Sequence, residues 1–396
     1  MTAPAVTGQA ALPAETVVRL LRRAARMPSL RQKYAPWLAR CPEAVSLTEL
    51  PTLTQAELSQ ALGELDHEHA SRSGSYLCAS GGPIGAPTLS LMPADLFGAD
   101  IATAWQPVTR GDVLANLFSP GQLWPAHQLA SSIATAAGAT VLPVTGLLTG
   151  PNLAAWLDYL QARGATALAA PPATLAQVLR HCASTGRRPA CLAKLVWIGD
   201  ELDVLAAGQA LAGLPDAQVW GLYAPAQTGA VGWNGPACDP GTVHPLAYQH
   251  VEVVDGAVLV TSTHQRCLSP VLRYQLGAAG RFADCPCGAS LPALRITSRT
   301  DSSFKFCGQL VSAAEIARLA REVADVAEAR VVLRAPGNEA EELEIQVLRG
   351  PVPRPWLTDR VRRHVLTGHI ALSQLPCDRP EALRITITTG RTLWAL

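Results

Sequence analysis

Lysine is nearly missing from this chain: of its 32 basic residues only Lys33, Lys194 and Lys305 are lysines, and none follows position 305. A surplus of either charge is missing too. With 32 basic and 31 acidic residues the formal net charge is +1, so no global field directs the chain to nucleic acid or to an anionic membrane. No run of 18 or more apolar residues is present, which excludes a spanning helix. The N-terminal stretch lacks the apolar core of a signal peptide. Its arginine-rich segment "VVRLLRRAARMPSLRQKY" has the composition of a transit peptide but reads better as a surface helix following Pro13. Internal repeats and low-complexity tracts are lacking. Aromatic residues make up only 5%, which neither demands nor excludes an aryl-binding pocket. Ten cysteines are present, but Cys41, Cys78, Cys182, Cys191, Cys267, Cys307 and Cys377 are scattered singly. That is no disulfide framework, and a cytoplasmic, reducing setting fits it best.

What is present is a large apolar content. At 396 residues and 48% hydrophobic, the chain exceeds one ordinary core and is expected to form two domains. Residues 14–65 read as helices, with Thr54 an N-cap ahead of Glu57. From about 90 to 235, short apolar strands alternate with amphipathic helices, which predicts an α/β domain with a mostly parallel sheet. Ligands of such sheets bind beyond the C-terminal strand ends, where "IGDEL" and "LYAPAQTG" fall. Past 250, Asp255-Gly256 between β-rich runs signals a hairpin. Past 300, a small α+β pattern follows. The expected division is residues 1–298 and 299–396.

Two constellations carry chemistry on residue type alone. "LCASGGPIGAPTLS" sets Ser80, Gly81, Gly82 and Gly85 in one loop, a density of glycine that lets backbone N–H groups close around an anion. Pro83, Ile84 and Ala86 stand where such loops usually supply hydroxyls and lysine. The second is "CDPGTVH", holding Cys238 and His244, followed by Cys285-Pro-Cys287-Gly288. Three thiolates and one imidazole make a closed tetrahedral zinc site of the structural kind. The alternative is four unrelated polar residues near a hairpin.

The ordered set "SGGPIGAPT", "IGDEL", "LYAPAQTG", "PVLRYQLGAAGRF", "CPCG" and "SRTDSSFKFCG" resembles the phenylacetate–CoA ligase branch of the adenylate-forming enzymes, from about residue 47 to near the C-terminus. The resemblance implies a large α/β N-terminal domain and a small mobile α+β C-terminal domain. It also implies an activity that joins ATP to a carboxylate, often aromatic, and passes the acyl group to the thiol of CoA. Some relatives carry the Cys/His pair and CxCG at matching places, and relatives are often dimers, which implies a homodimer. Four features depart from the family pattern: the side chains of the glycine loop; Gln227 where members place a magnesium-binding glutamate; Ala278 where members grip the ribose with aspartate; and the missing C-terminal lysine. A neutral amide is a poor ligand for Mg²⁺, and Arg391 does not replace a compact ammonium. ATP and magnesium binding are therefore doubtful, and adenylation is expected to be lost.

The same resemblance marks further residues. His127, in "SPGQLWPAHQL", falls in the acyl and thiol region, as a general base or as a structural histidine at a helix start. Tyr223 matches a residue of the acyl and adenine pocket, or is core packing. Arg273 and Arg299 match nucleotide-facing and hinge positions and could hold the phosphates of CoA, or form ordinary ion pairs. Gly308 and Cys307 fall where relatives pass the pantetheine arm. "DHEHA" at 66–70 reads as a solvated loop. The function expected first is transfer of an acyl group, aryl or otherwise, from a CoA thioester to an acyl carrier protein. A non-catalytic scaffold and an ATP-dependent acyl-CoA ligase are the alternatives.

Overall fold

Alternating apolar runs and amphipathic helices build one half of a large sheet, and β-rich runs joined by tight turns build the other. The computed structural model describes residues 6–40, 45–64, 74–80, 88–120, 123–144, 150–187, 189–199, 214, 216–299, 303–306, 309–334, 341–349, 354–369, 372 and 380–388. The chain forms two compact units. The first contains residues 1–79 and 89–300, and residues 301–396 make up most of the second.

In chain order the first unit holds β1 (Val6–Gly8), α1 (Ala14–Ala24), α2 (Pro28–Leu38), α3 (Gln55–Gly63), β2 (Ser75–Ser80), β3 (Thr88–Pro93), α4 (Gly98–Ala104), β4 (Val113–Asn116), α5 (Ala126–Ala136), β5 (Thr140–Pro143), α6 (Gly150–Ala162), β6 (Ala167–Ala170), α7 (Pro172–Thr185), β7 (Lys194–Gly199), β8 (Gln218–Tyr223), β9 (Gly232–Asn234), β10 (Thr242–Pro245), β11 (Gln249–Val254), β12 (Ala257–Ser262), β13 (Tyr274–Ala283) and β14 (Ala293–Arg299). Twelve strands form a single sheet in the order β1-β11-β12-β13-β14-β10-β9-β8-β7-β6-β4-β5. From β5 to β8 all neighbours are parallel. From β9 onward the pairing is antiparallel. The central parallel strands β4, β6 and β7 are buried on both faces, whereas the edge strand β5 is partly exposed. On one face, Leu114, Ala167, Ala169, Val196 and Ile198 pack with Leu129, Ala130 and Ile133 of α5. On the other, Ala115, Leu168, Ala170 and Leu195 pack with α6 and α7 through Leu153, Leu157, Leu175 and Leu179.

Local signals hold where the sequence placed them. Thr54 caps α3: its side chain accepts from the Glu57 backbone N–H at 3.3 Å, and Glu57 accepts from the Thr54 N–H at 2.8 Å. Asp255 and Gly256, at φ 50° and 82°, form the turn between β11 and β12, the left-handed pair a two-residue hairpin requires.

Two charged groups hold the sheet to its surroundings. At the N-terminal edge of the parallel half, Asp112 accepts from Lys194 Nζ at 2.8 Å, the Thr109 N–H at 2.7 Å and Thr166 Oγ1 at 2.8 Å. It thereby ties the starts of β4, β6 and β7. Burial opposes ionisation of Asp112, but these donors outweigh it and bring its pKa down to about 2. In the antiparallel half, Arg273 is buried with Glu252 in a two-pronged pair at 3.0 and 3.1 Å. Its remaining terminal nitrogen donates to the carbonyls of Thr48 and Leu50. The Arg273 carbonyl accepts from the Leu53 N–H at 2.9 Å, so one residue pins the segment between α2 and α3 to the sheet.

The second unit contains β15 (Ser303–Phe306), β16 (Gln309–Ser312), α8 (Ala313–Arg321), β17 (Val326–Arg334), β18 (Glu342–Arg349), α9 (Leu357–Gly368) and β19 (Leu383–Thr388). β17 and β18 are antiparallel, and β18 and β19 are parallel. Ile316, Leu319, Val361 and Val365 of the helices pack on Leu343, Ile345 and Val347. Among the described residues no helix is long and apolar enough to cross a membrane.

Arg273→Ala leaves the Glu252 carboxylate buried without its partner, so unfolding by urea is expected to show a loss of about 3–5 kcal/mol. Asp112→Asn is expected to cost about 2 kcal/mol at neutral pH. A carboxyl with a depressed folded pKa stabilises above its unfolded value near ~3.9 and loses that contribution as pH falls. The gap between Asp112→Asn and wild type should therefore close as pH drops from about 4 toward 2.

Candidate active site and metal centre

The parallel half runs β5-β4-β6-β7-β8, so the connections leaving β4 and β5 place the next strands on opposite sides of β4. That reversal opens a crevice beyond the C-terminal end of β4, the usual ligand position in open α/β sheets. Asn116 ends β4 there and is fully buried. Its Nδ2 donates to the His127 carbonyl at 2.9 Å and to Ser131 Oγ at 3.0 Å, and its Oδ1 accepts from the Phe118 N–H at 3.2 Å. One amide thus fixes both the chain leaving β4 and the first turn of α5. His127 is half-buried in that turn, with Nδ1 2.7 Å from the Phe118 carbonyl. A carbonyl oxygen only accepts, so Nδ1 carries the proton when the ring is neutral, and Nε2 presents a lone pair. Among the described residues Nε2 has no partner. Asn116 was not singled out from sequence, although its signal was there: an apolar run, "VLAN", closed by an amide.

Tyr223 ends β8 at the same edge, opposite Gly199, and is buried in the cluster containing Val231 and Val243. β6 and β7 lie between β4 and β8, so the strand that Tyr223 ends is roughly 14 Å from β4. Gln227 is half-buried in the loop after β8. That loop is stitched by Gln249 Nε2, which donates to the carbonyls of Thr228 and Ala230 at 3.2 and 2.8 Å. Ala278 is buried within β13, opposite Arg299. Ser80 closes β2 and Arg299 closes β14; of both, only the backbone is described. Gly81, Gly82, Gly85, Cys307, Gly308, the "DHEHA" segment and the "DEL" of "IGDEL" lie outside the described residues.

Arg273 departs from its expected place. A phosphate ligand needs free donors facing a cleft, whereas this guanidinium is sealed between Glu252 and two backbone carbonyls. It is no surface ion pair either, being 6% exposed. Two of the three lysines are also engaged structurally: Lys33 with Glu57 and the Thr52 carbonyl, and Lys194 with Asp112.

The four expected metal ligands do converge. The ligand atoms of Cys238, His244, Cys285 and Cys287 lie within 4.8 Å of one another. β10 carries His244, the β9–β10 loop carries Cys238, and the β13–β14 loop carries both remaining cysteines. His244 Nδ1 faces the Leu291 carbonyl at 3.1 Å, which leaves Nε2 free to ligate; Nε2 lies 3.1 Å from Cys287 Sγ. A ligating histidine is commonly oriented in this way by a backbone carbonyl. The Gly235 N–H donates to Cys238 Sγ at 3.3 Å. Burial pushes the Cys238 thiol up to about 12. At Cys285 burial acts in the same sense but is outweighed by the N–H groups of Cys287 and Asp239, and the thiol falls to about 6. The donor set fits a soft tetrahedral cation with every position filled by protein.

No family model matches the sequence, and no curated protein matches it by sequence. Solved structures do match in fold. A 2-hydroxyisobutyryl-CoA ligase, in complex with 2-HIB-AMP and CoA in its thioesterification state, superposes with a TM-score of 0.74 at 17% identity, over 97% of this chain and 87% of that one. The amide bond synthetase McbA from Marinactinospora thermotolerans gives 0.61 at 17%, over 94% and 79%. A malonyl-CoA ligase with methylmalonyl-CoA and AMP bound gives 0.58 at 17%, over 80% and 71%. The fold is that of the adenylate-forming enzymes.

Proposed function

We propose that this chain is an acyl-transferring enzyme on the adenylate-forming fold, of the phenylacetate–CoA ligase-like branch. It takes an acyl group, aryl or otherwise, from a CoA thioester to the thiol of a carrier protein or to another nucleophile. The observation that carries this reading is His127, whose tautomer is fixed by the Phe118 carbonyl at 2.7 Å so that Nε2 is an acceptor at the switch point of the sheet. Nε2 takes the proton of the incoming thiol as its sulfur attacks the thioester carbonyl. The tetrahedral adduct collapses, the bond to the CoA sulfur breaks, and the same proton passes to the departing thiolate. The donor is already activated, so the exchange needs positioning and one base and no nucleotide. Gln227 and Ala278 in place of carboxylates, and two lysines tied to Glu57 and Asp112, support the loss of adenylation.

A second reading, ATP-dependent ligation, is favoured by the likeness over 97% of the chain to a ligase solved with an acyl-AMP and CoA. The two separate on nucleotide. Acyl-CoA consumption with a holo carrier protein is expected without ATP, and Mg-ATP is expected to show no calorimetric binding. His127→Ala should lower the transfer rate by about 10²–10⁴-fold. Carboxylate-dependent pyrophosphate release at an ordinary enzyme rate would replace transfer with ligation. A scaffold would show neither transfer across a panel of donors nor thermal stabilisation by acyl-CoA.

We also propose that Cys238, His244, Cys285 and Cys287 hold one structural zinc that staples the β9–β10 loop to the β13–β14 loop. With no open position, the ion supplies cross-linking and no chemistry. Protein purified without chelator should contain one zinc per chain, and Cys287→Ser should lose it together with several degrees of thermal stability. Metal-free protein with an unchanged melting curve would count against the site.

A further inference from the structure

The arginine run of the first helices serves neither site. Between Glu15 and Glu43 the chain has no acidic residue and seven basic ones: Arg19, Arg22, Arg23, Arg26, Arg31, Lys33 and Arg40. The structure divides them. Arg23 donates to the carbonyls of His264, Cys267 and Ser262 at 2.9, 3.2 and 2.6 Å. Lys33 pairs with Glu57, and Arg40 with Glu49. Arg19, Arg22, Arg26 and Arg31 are exposed, and none has a carboxylate in ion-pair range among the described residues. Arg31 Nε donates only to the Ala25 carbonyl, at 2.8 Å.

Geometry makes these four a surface. Positions 19, 22 and 26 are three and four apart along α1 and the turn that ends it, so they share one side. Val17, Leu20, Leu21 and Ala24 occupy the opposite side and are buried. Stacked like charges weaken a helix, and Glu15, the lone acid of α1, makes no ion pair with Arg19 in the described structure. Arg22, in the last turn of α1, complements the helix dipole, but Arg19 precedes that turn and Arg26 and Arg31 lie beyond the helix, so the dipole does not account for the stripe as a set. Arg23 plugs α1 into the sheet, so the other guanidinium groups project from a fixed element and lose less freedom on binding. Burial lowers the Arg23 pKa; Cys267 opposes this, and Arg19 and Arg26 lower it further.

We propose that Arg19, Arg22, Arg26 and Arg31 form the docking surface for an acidic protein partner, the carrier whose thiol accepts the acyl group. The partner's identity rests on the acyl-transfer reading; its acidity rests on charge complementarity alone. From 19 to 26 the stripe is about 10 Å long, the reach of two turns of an acidic helix. Val17, Leu20 and Leu21 of α1 face its own core and Val18 is half-buried, so α1 keeps no exposed apolar face to enter a bilayer. Tyr34 is buried and Trp37 half-buried, so α2 offers no free ring for stacking nucleic-acid bases.

The test uses the full chain, a strongly acidic bacterial acyl carrier protein in its holo form, and two variants. R19E/R22E/R26E/R31E reverses the charge, and R19K/R22K/R26K/R31K keeps it. Calorimetry should show carrier binding by wild type that weakens between about 50 and 300 mM salt. Binding should fall about tenfold or more in the Glu variant and persist in the Lys variant. Equal binding by the Glu variant, no binding by folded wild type, or tighter binding of a DNA duplex or phosphatidylserine vesicles at the same salt would overturn the assignment. A second arm measures acyl transfer. The KM for carrier should rise in the Glu variant, while transfer to free pantetheine is unchanged. Carrier binding without transfer to either thiol would leave the docking surface standing and remove the acyl-transfer reading.

Discussion

The side-chain amide of Asn116 is the interaction on which the candidate site depends. It lies at the point where the parallel strand order reverses, and it is buried with three hydrogen bonds. A buried amide left unpaired would be costly, so the chain leaving β4 and the start of α5 must settle around it. The Phe118 carbonyl is thereby aimed at His127 Nδ1, and a half-buried imidazole becomes an oriented acceptor.

Charge inside this protein is mostly architectural. Arg273 with Glu252, Lys194 with Asp112 and Lys33 with Glu57 each join segments distant in sequence. Arg23 does the same with carbonyls alone. Among the described residues, Arg19, Arg22 and Arg26 of α1 and its following turn face solvent together. In a chain with net charge +1, that local concentration gives direction to an otherwise balanced surface.

The cysteine–histidine quartet belongs to the antiparallel half, away from the parallel strands that position His127. Its loops are short and rich in turn residues, with Gly288 at φ 73°. Such loops have little apolar surface to bury, and the four side chains that converge there are the groups a structural ion would need.

Much of this was legible in the sequence, and the rest has a common physical reason. Strand–helix alternation, the Thr54 cap, the Asp255-Gly256 turn and the convergence of the cysteine–histidine quartet follow local patterns, set by residues a few positions apart or by shared ligand type. The sequence could not tell that the parallel and antiparallel runs join as one twelve-stranded sheet through β8 and β9, or that Val6–Gly8 adds an edge strand to β11. It marked Arg273 by motif, but burial beside Glu252 and the carbonyls of Thr48 and Leu50, more than two hundred positions away, is decided only on folding. Asn116 is likewise one polar residue ending an apolar strand until α5 packs over it. Composition and spacing determined which elements form and which residues have chemistry to offer. Tertiary structure decided which of them are spent on holding the fold, because hydrogen bonds and charge pairs between distant segments exist only once the sheet has closed around them.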